Sequence, residues 1–144
     1  MPFTIQYLVD DEKHINNIEE FLHEWRDSSL YINTYTSGST GQPKLISIKK
    51  EYMIQSAKMT GELLAIKKGD NALLNLSIET IAGKMMVVRS LVLGLNLFIV
   101  ETNNNPFLSD YKLPKIDFIA LVPLQVSNIL KANLADLKNI RNII

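Results

Sequence analysis

The chain contains no cysteine. That excludes a disulfide framework and any thiolate-bound metal, and it fits a reducing compartment. It also lacks an excess of either charge, with 15 Lys plus Arg against 15 Asp plus Glu. Neither the basic surface that nucleic acid requires nor an acidic tail is expected. Histidine is scarce: His14 and His23 sit without a partner cluster and read as surface residues of the first helix, so no metal site is expected. The opening residues, Met1-Pro2-Phe3-Thr4-Ile5-Gln6, lack the basic start and apolar stretch of a signal peptide. The longest apolar stretch, around Met85 to Val100, is interrupted by Arg89, Ser90, Gly94 and Asn96, which excludes a transmembrane helix there. A cytoplasmic protein, with no nucleic-acid and no membrane partner, is the expectation.

What is present suits one folded domain. The chain has 144 residues, 47% of them hydrophobic and 21% charged, enough to bury a core. Ile15, Ile18, Leu22 and Trp25 recur at helical spacing and predict a helix over 13–26, with Asp10 and Asp11 near its start. On this helix Trp25 reads as core, and Glu12, Glu19, Glu20 and Glu24 as a solvated face. Strands are predicted over 30–35, 45–48, 72–76, 95–100 and 116–122, and helices over 50–66, 82–93 and from Pro123 to about Ala132. The helix over 82–93 is apolar nearly all round and reads as buried, ended by Gly94. Arg89 is out of place there and either snorkels or pairs with an acid in the part of the domain expected beyond this sequence. Strands alternating with helices predict an α/β fold with a largely parallel sheet, whose ligands sit at the carboxyl ends of the strands. The last residues, Asn139-Ile140-Arg141-Asn142-Ile143-Ile144, read as the opening of a buried strand, so the expectation is a sequence that stops inside a domain. A domain cut there exposes apolar surface, and a homodimer is one consequence to expect.

The stretch that carries chemistry is Tyr35-Thr36-Ser37-Gly38-Ser39-Thr40-Gly41-Gln42-Pro43-Lys44. Gly38 and Gly41 let backbone N–H groups turn towards an anion. The hydroxyls of Thr36, Ser37, Ser39 and Thr40 can donate to phosphate oxygens, and Lys44 adds a positive charge. The common P-loop ends in Gly-Lys-Ser/Thr; here Pro43 precedes Lys44 and Leu45 follows. From composition alone a Ser/Gly-rich hairpin turn accounts for the stretch equally well.

The decapeptide resembles the signature of the AMP-binding (acyl-adenylate-forming) superfamily, position for position from Thr36 to Gly41 and again at Pro43 and Lys44. Further along, Leu76-Ser77-Ile78-Glu79-Thr80-Ile81-Ala82-Gly83 resembles the family's strand-to-helix junction, with Ser77 where proline is common and Thr80 where histidine is common. Ala120-Leu121-Val122-Pro123-Leu124-Gln125 is similar to its next strand-to-helix junction. The stretches Ile81 to Arg89 and Val122 to Gln125, and the short leader before Thr36, look most like o-succinylbenzoate–CoA ligases of menaquinone synthesis.

The resemblance implies the N-terminal domain of an ATP-dependent acid–CoA ligase, with ATP, Mg²⁺ and coenzyme A as cofactor and co-substrates and a small carboxylic acid as substrate. It implies a phosphate grip by Thr36, Ser37, Gly38, Ser39, Thr40, Gly41 and Lys44, and substrate contacts at Thr80 and Gln125. The family's adenine, ribose and catalytic-lysine segments have no counterpart in this sequence, so no catalytic residue is expected here and the chain alone is expected to be inactive. The alternative is a non-catalytic module that binds a nucleotide or a partner.

Overall fold

A strand buried on both faces must be apolar at every position, not alternately. Ala72, Leu73 and Leu74 are all fully buried, and they mark the centre of the sheet. The computed structural model describes residues 3–36 and 41–144. Its elements, in chain order, are β1 (Thr4–Tyr7), α1 (Glu12–Arg26), β2 (Tyr31–Thr36), β3 (Lys44–Lys49), α2 (Lys50–Leu63), β4 (Asn71–Leu74), α3 (Ile81–Leu93), β5 (Asn96–Ile99), β6 (Phe118–Ile119), α4 (Pro123–Ala132), α5 (Leu134–Lys138) and β7 (Asn142–Ile143). Five strands form one sheet in the order β1-β5-β4-β6-β7, every pair parallel. The expected α/β architecture is therefore present.

The pleat divides the core. Ala72, Leu74, Leu97, Ile99 and Phe118 join the apolar faces of α1, α2 and α3 on one side. Leu73 and Ile119 point the other way, into a smaller cluster with Val100 and Ile116 that the segment over 101–116 covers. Helix starts and stops follow local chemistry. The Asp11 carboxylate accepts from the Lys13 and His14 N–H groups and caps α1. Gly94 closes α3 at φ 68, a left-handed position that a β-carbon disfavours.

Two strands depart from the expectation. β2 and β3 do not enter the main sheet but form a separate antiparallel hairpin, with Tyr31 opposite Lys49 and Thr36 opposite Lys44. Its inner face, Ile32 and Thr34, is buried, and its outer face, Tyr31, Tyr35 and Leu45, is exposed. β1, which has only four residues and no flanking turn signal, takes the edge beside β5, where the Tyr7 hydroxyl donates to Glu19 of α1. Of the stretch over 139–144 expected to open a buried strand, Asn142–Ile143 form β7, with Ile143 exposed.

The hairpin is fastened at its base. Lys50 Nζ donates to the Glu24 carbonyl at 2.7 Å, to the Asp27 carbonyl at 3.2 Å and to the Asp27 carboxylate at 2.8 Å. The Lys50 N–H reaches the Leu30 carbonyl at 2.9 Å. Lys50 thus ties the hairpin to the end of α1 through its ammonium, using carbonyls that a helix terminus leaves without partners, and joins the bases of β2 and β3 through its backbone N–H. The Lys50 hydrogen bond holds the Asp27 carboxyl below its ordinary range. At the far side of the sheet Arg141 bridges Asp70 and Asp117, pinning β7 to the loops that lead into β4 and β6.

Two glycines set how closely the helices approach. A β-carbon on Gly61 would lie 2.6 Å from Leu93 Cδ2, the end of a flexible side chain, whereas one on Gly83 would lie 2.0 Å from the Ser77 carbonyl oxygen, which is backbone. Gly61→Ala should therefore change stability by no more than about 1 kcal/mol, because helix propensity offsets the crowding. Gly83→Ala should cost about 3 kcal/mol. Urea denaturation of the two variants measures the difference; equal losses would show that the Ser77 contact is not rigid.

Candidate functional site

The hairpin lies beside the carboxyl edge of the sheet, where ligands of parallel α/β folds bind. Its mouth is defined by Thr36 and Lys44, which face each other across the ladder. The Thr36 hydroxyl donates to the Lys44 carbonyl at 3.4 Å. Gly41 takes φ 86, a conformation that a side chain would strain. No described residue lies within 4 Å of the position its β-carbon would take, so among these residues it is backbone shape that calls for glycine at 41. Lys44 is exposed. Of the residues expected to grip phosphate, Thr36, Gly41 and Lys44 are thus brought to one end of the hairpin; Ser37, Gly38, Ser39 and Thr40 lie outside the described residues.

The turn over 77–80 follows β4 and opens α3. Thr80 is the N-cap of α3: its hydroxyl accepts from the Gly83 N–H at 3.1 Å and donates to the Ser77 carbonyl at 2.7 Å. That hydroxyl is fully engaged by the backbone. Thr34, buried in β2, donates to the Glu79 carbonyl at 3.5 Å and links the hairpin to this turn. Glu79 itself is exposed.

Gln125 is 3% exposed. Its carbonyl oxygen accepts from the Val122 N–H at 3.0 Å, and its amide donates to the carbonyls of Asn103 at 2.9 Å and Asn75 at 3.2 Å. The Asn75 side chain answers by accepting from the Asn103 N–H. Gln125 therefore stitches the carboxyl ends of β4, β5 and β6 together, and its side chain faces those loops. Sequence reading singled out Gln125 but not Asn75 or Asn103, because nothing in their spacing signals a buried amide network.

The remaining feature is a hollow of about 370 Å³, walled by Leu76, Ile81, Ala82, Met85 and Ala120. Arg89 lines it. The Arg89 Nε atom is buried and has no partner among the described residues. Burial lowers its pKa, though a guanidinium stays charged at neutral pH. Arg89 is thus half-buried, with its Nε enclosed, and it pairs with no acid among the described residues. A half-buried cation without an acid partner, beside an apolar hollow, can receive an anion. A larger hollow, about 630 Å³, lies beside Ile116 and Ile140 at the amino ends of β6 and β7, away from all of these groups. Among the described residues no group of three His, Cys, Asp or Glu side chains could hold a metal ion, and no helix is long and apolar enough to cross a membrane.

A parallel sheet with a hydroxyl-bearing hairpin at its carboxyl edge is the N-terminal part of an acyl-CoA synthetase-like α/β fold. The family model for AMP-binding enzymes matches residues 5–144, and the chain belongs to that family. Among solved structures it is similar to an acyl-CoA synthetase (AMP-forming)/AMP-acid ligase II-like protein from Dyadobacter fermentans, with 32% identity and a TM-score of 0.82 over 92% of this chain and 38% of that one. It also resembles in fold the o-succinylbenzoate coenzyme A synthetase MenE from Bacillus subtilis in complex with AMP, at 23% identity and TM-score 0.66, over 77% of this chain and 23% of that one. MenE from E. coli, with a bound analogue of OSB-AMS, matches at 24% identity and TM-score 0.54 over 69% of this chain and 21% of that one. The chain therefore spans well under half the length of each. No curated protein sequence matches it.

Removing the Gln125 amide takes a partner from the buried Asn75 carbonyl and from the Val122 N–H, and leaves the Asn103 carbonyl only its bond from the Asn75 amide. Gln125→Ala should therefore destabilise the fold by about 2–4 kcal/mol. Thermal or urea unfolding checks this, and a variant of unchanged stability would free Gln125 for a role in binding.

Proposed function

We propose that the protein to which this chain belongs activates a carboxylic acid with ATP and passes the acyl group to coenzyme A, and that the acid is o-succinylbenzoate. In that reaction the carboxylate attacks the α-phosphorus of ATP, giving an acyl-adenylate and pyrophosphate. The thiol of coenzyme A then attacks the acyl carbon and AMP leaves. The first step brings a negative nucleophile to a negative triphosphate, so it needs donors that hold the departing pyrophosphate. Thr36, Gly41 and Lys44, with Ser37, Gly38, Ser39 and Thr40 between them, are the groups we assign to that grip. Mg²⁺ would belong to the same phosphates; no acidic cluster among the described residues offers it a site, and none of the steps assigned to this chain runs through it.

Arg89 is the observation that carries the choice of acid. o-Succinylbenzoate has two carboxylates, of which one is activated and one remains charged on the ring. Its aromatic body suits the apolar wall of Leu76, Ile81, Met85 and Ala120, and its second carboxylate suits the unpartnered Arg89 guanidinium. A simple aliphatic acid, with no second carboxylate, would leave that cation without an anionic partner. The fold likeness to MenE supports the same reading.

Calorimetry on this chain tests it. Arg89→Met keeps the apolar stem and should weaken o-succinylbenzoate binding by about tenfold or more. It should leave the analogue without the ring carboxylate nearly unaffected. Equal effects on both acids would overturn the choice of substrate. Lys44→Ala should weaken Mg-ATP binding about three- to tenfold, more at low salt than at high. ATP binding that ignores both Lys44 and ionic strength would favour a different role for the hairpin, and a chain that binds ATP but no acid would favour a non-catalytic nucleotide-binding module.

A further inference from the structure

We infer that Lys84 is a positioning residue that couples acid binding in the Arg89 hollow to nucleotide binding at the hairpin, through the turn over 77–80. The inference rests on the functional reading above. The turn stands between the two places. On one side the Thr34 hydroxyl, two residues before Thr36 in β2, donates to the Glu79 carbonyl at 3.5 Å. On the other, Thr80 caps α3, whose residues Ile81, Met85 and Arg89 line the hollow.

The back of the turn has no slack. The Ser77 carbonyl already occupies the space a β-carbon on Gly83 would need, so the turn and the first turn of α3 move as one body. Lys84 fixes where that body sits. Its ammonium donates to the Ile78 carbonyl at 2.9 Å and lies 5.1 Å from the centre of the Phe21 ring of α1. It is partly buried, in a small hollow shared with Asn17, Glu20, Glu24 and Glu79. Burial lowers its pKa, while the charges of Glu24 and Glu79 oppose that shift. The three successive carbonyls of Ser77, Ile78 and Glu79 are thus held by α3, by Lys84 and by the hairpin. A ligand that shifts α3 must move the Glu79 carbonyl relative to Thr34, and a ligand that shifts the hairpin must do the reverse. Such coupling is reciprocal by thermodynamic necessity.

The test is a binding cycle on this chain: the dissociation constant of Mg-ATP with and without saturating o-succinylbenzoate. In the wild type the two constants should differ by about fivefold or more. In Lys84→Met the ratio should fall to within about twofold of one, while each ligand alone binds within about threefold of wild type. Lys84→Arg, which keeps the charge and the donor, should restore the ratio. A merely structural lysine would change both single affinities and leave the ratio intact. Thr34→Val breaks the other link and should lower the ratio in the same way, and it carries the test should Lys84→Met not fold. A wild-type ratio kept in Lys84→Met, or in Thr34→Val where Lys84→Met does not fold, would overturn the inference. So would a wild type that binds both ligands with a ratio of one, which leaves the functional reading standing. A wild type that binds ATP but not o-succinylbenzoate would remove both.

Discussion

Everything placed at the carboxyl edge of this sheet depends on one backbone contact, the Ser77 carbonyl pressed against the first turn of α3. Only a glycine at position 83 lets that contact exist. Because it exists, the turn after β4 folds tightly against the start of α3, which drops onto the sheet, where Met86, Val87 and Val88 are fully buried. Burial of those three side chains contributes on the order of several kcal/mol. It also fixes the rotation of the helix. With that rotation set, Ile81, Met85 and Arg89 turn to one side and Lys84 to the other, so a single close approach assigns each residue its surroundings.

The parts of this arrangement legible in the sequence are those written in periodicity and local signals. The apolar run over 82–93 and the terminating Gly94 gave α3 nearly to the residue, and Pro123 gave the start of α4. The parallel sheet followed from alternating strands and helices. What was not legible depends on partners far away in the chain. β1 is four residues long and acquires its strand character only by lying against β5, ninety residues later. The separation of β2 and β3 from the main sheet is a matter of where the hairpin docks, and strand propensity is silent on that. Arg141 stands in the stretch read only as the opening of a strand, yet it meets two carboxylates, one of them seventy-one residues away.

The candidate site shows the same division. The glycines, hydroxyls and lysine over 36–44 could be read as a unit because the motif is contiguous in the sequence. Thr80 and Gln125 were visible as positions but not as roles. In the structure the polar atoms of each have backbone partners, which ties them to the loops they sit in. Arg89 is the converse case. It was conspicuous in an apolar helix, and its unpartnered atom makes sense of its position only once the hollow beside it is known.

The hairpin is anchored by Lys50 at its base and bears Thr36 and Lys44 at its far end. A strand rises about 3.4 Å per residue, so the span from Tyr31 to Thr36 is a rod of about 17 Å. Pivoting that rod by about 10° at the Lys50 clamp would sweep its free end through about 3 Å, the length of one hydrogen bond. The molecule therefore has a built-in mechanical advantage. The same pivot would carry Thr34 through about 2 Å, so the free end makes or breaks contact with a phosphate oxygen only as the Thr34–Glu79 hydrogen bond yields with it.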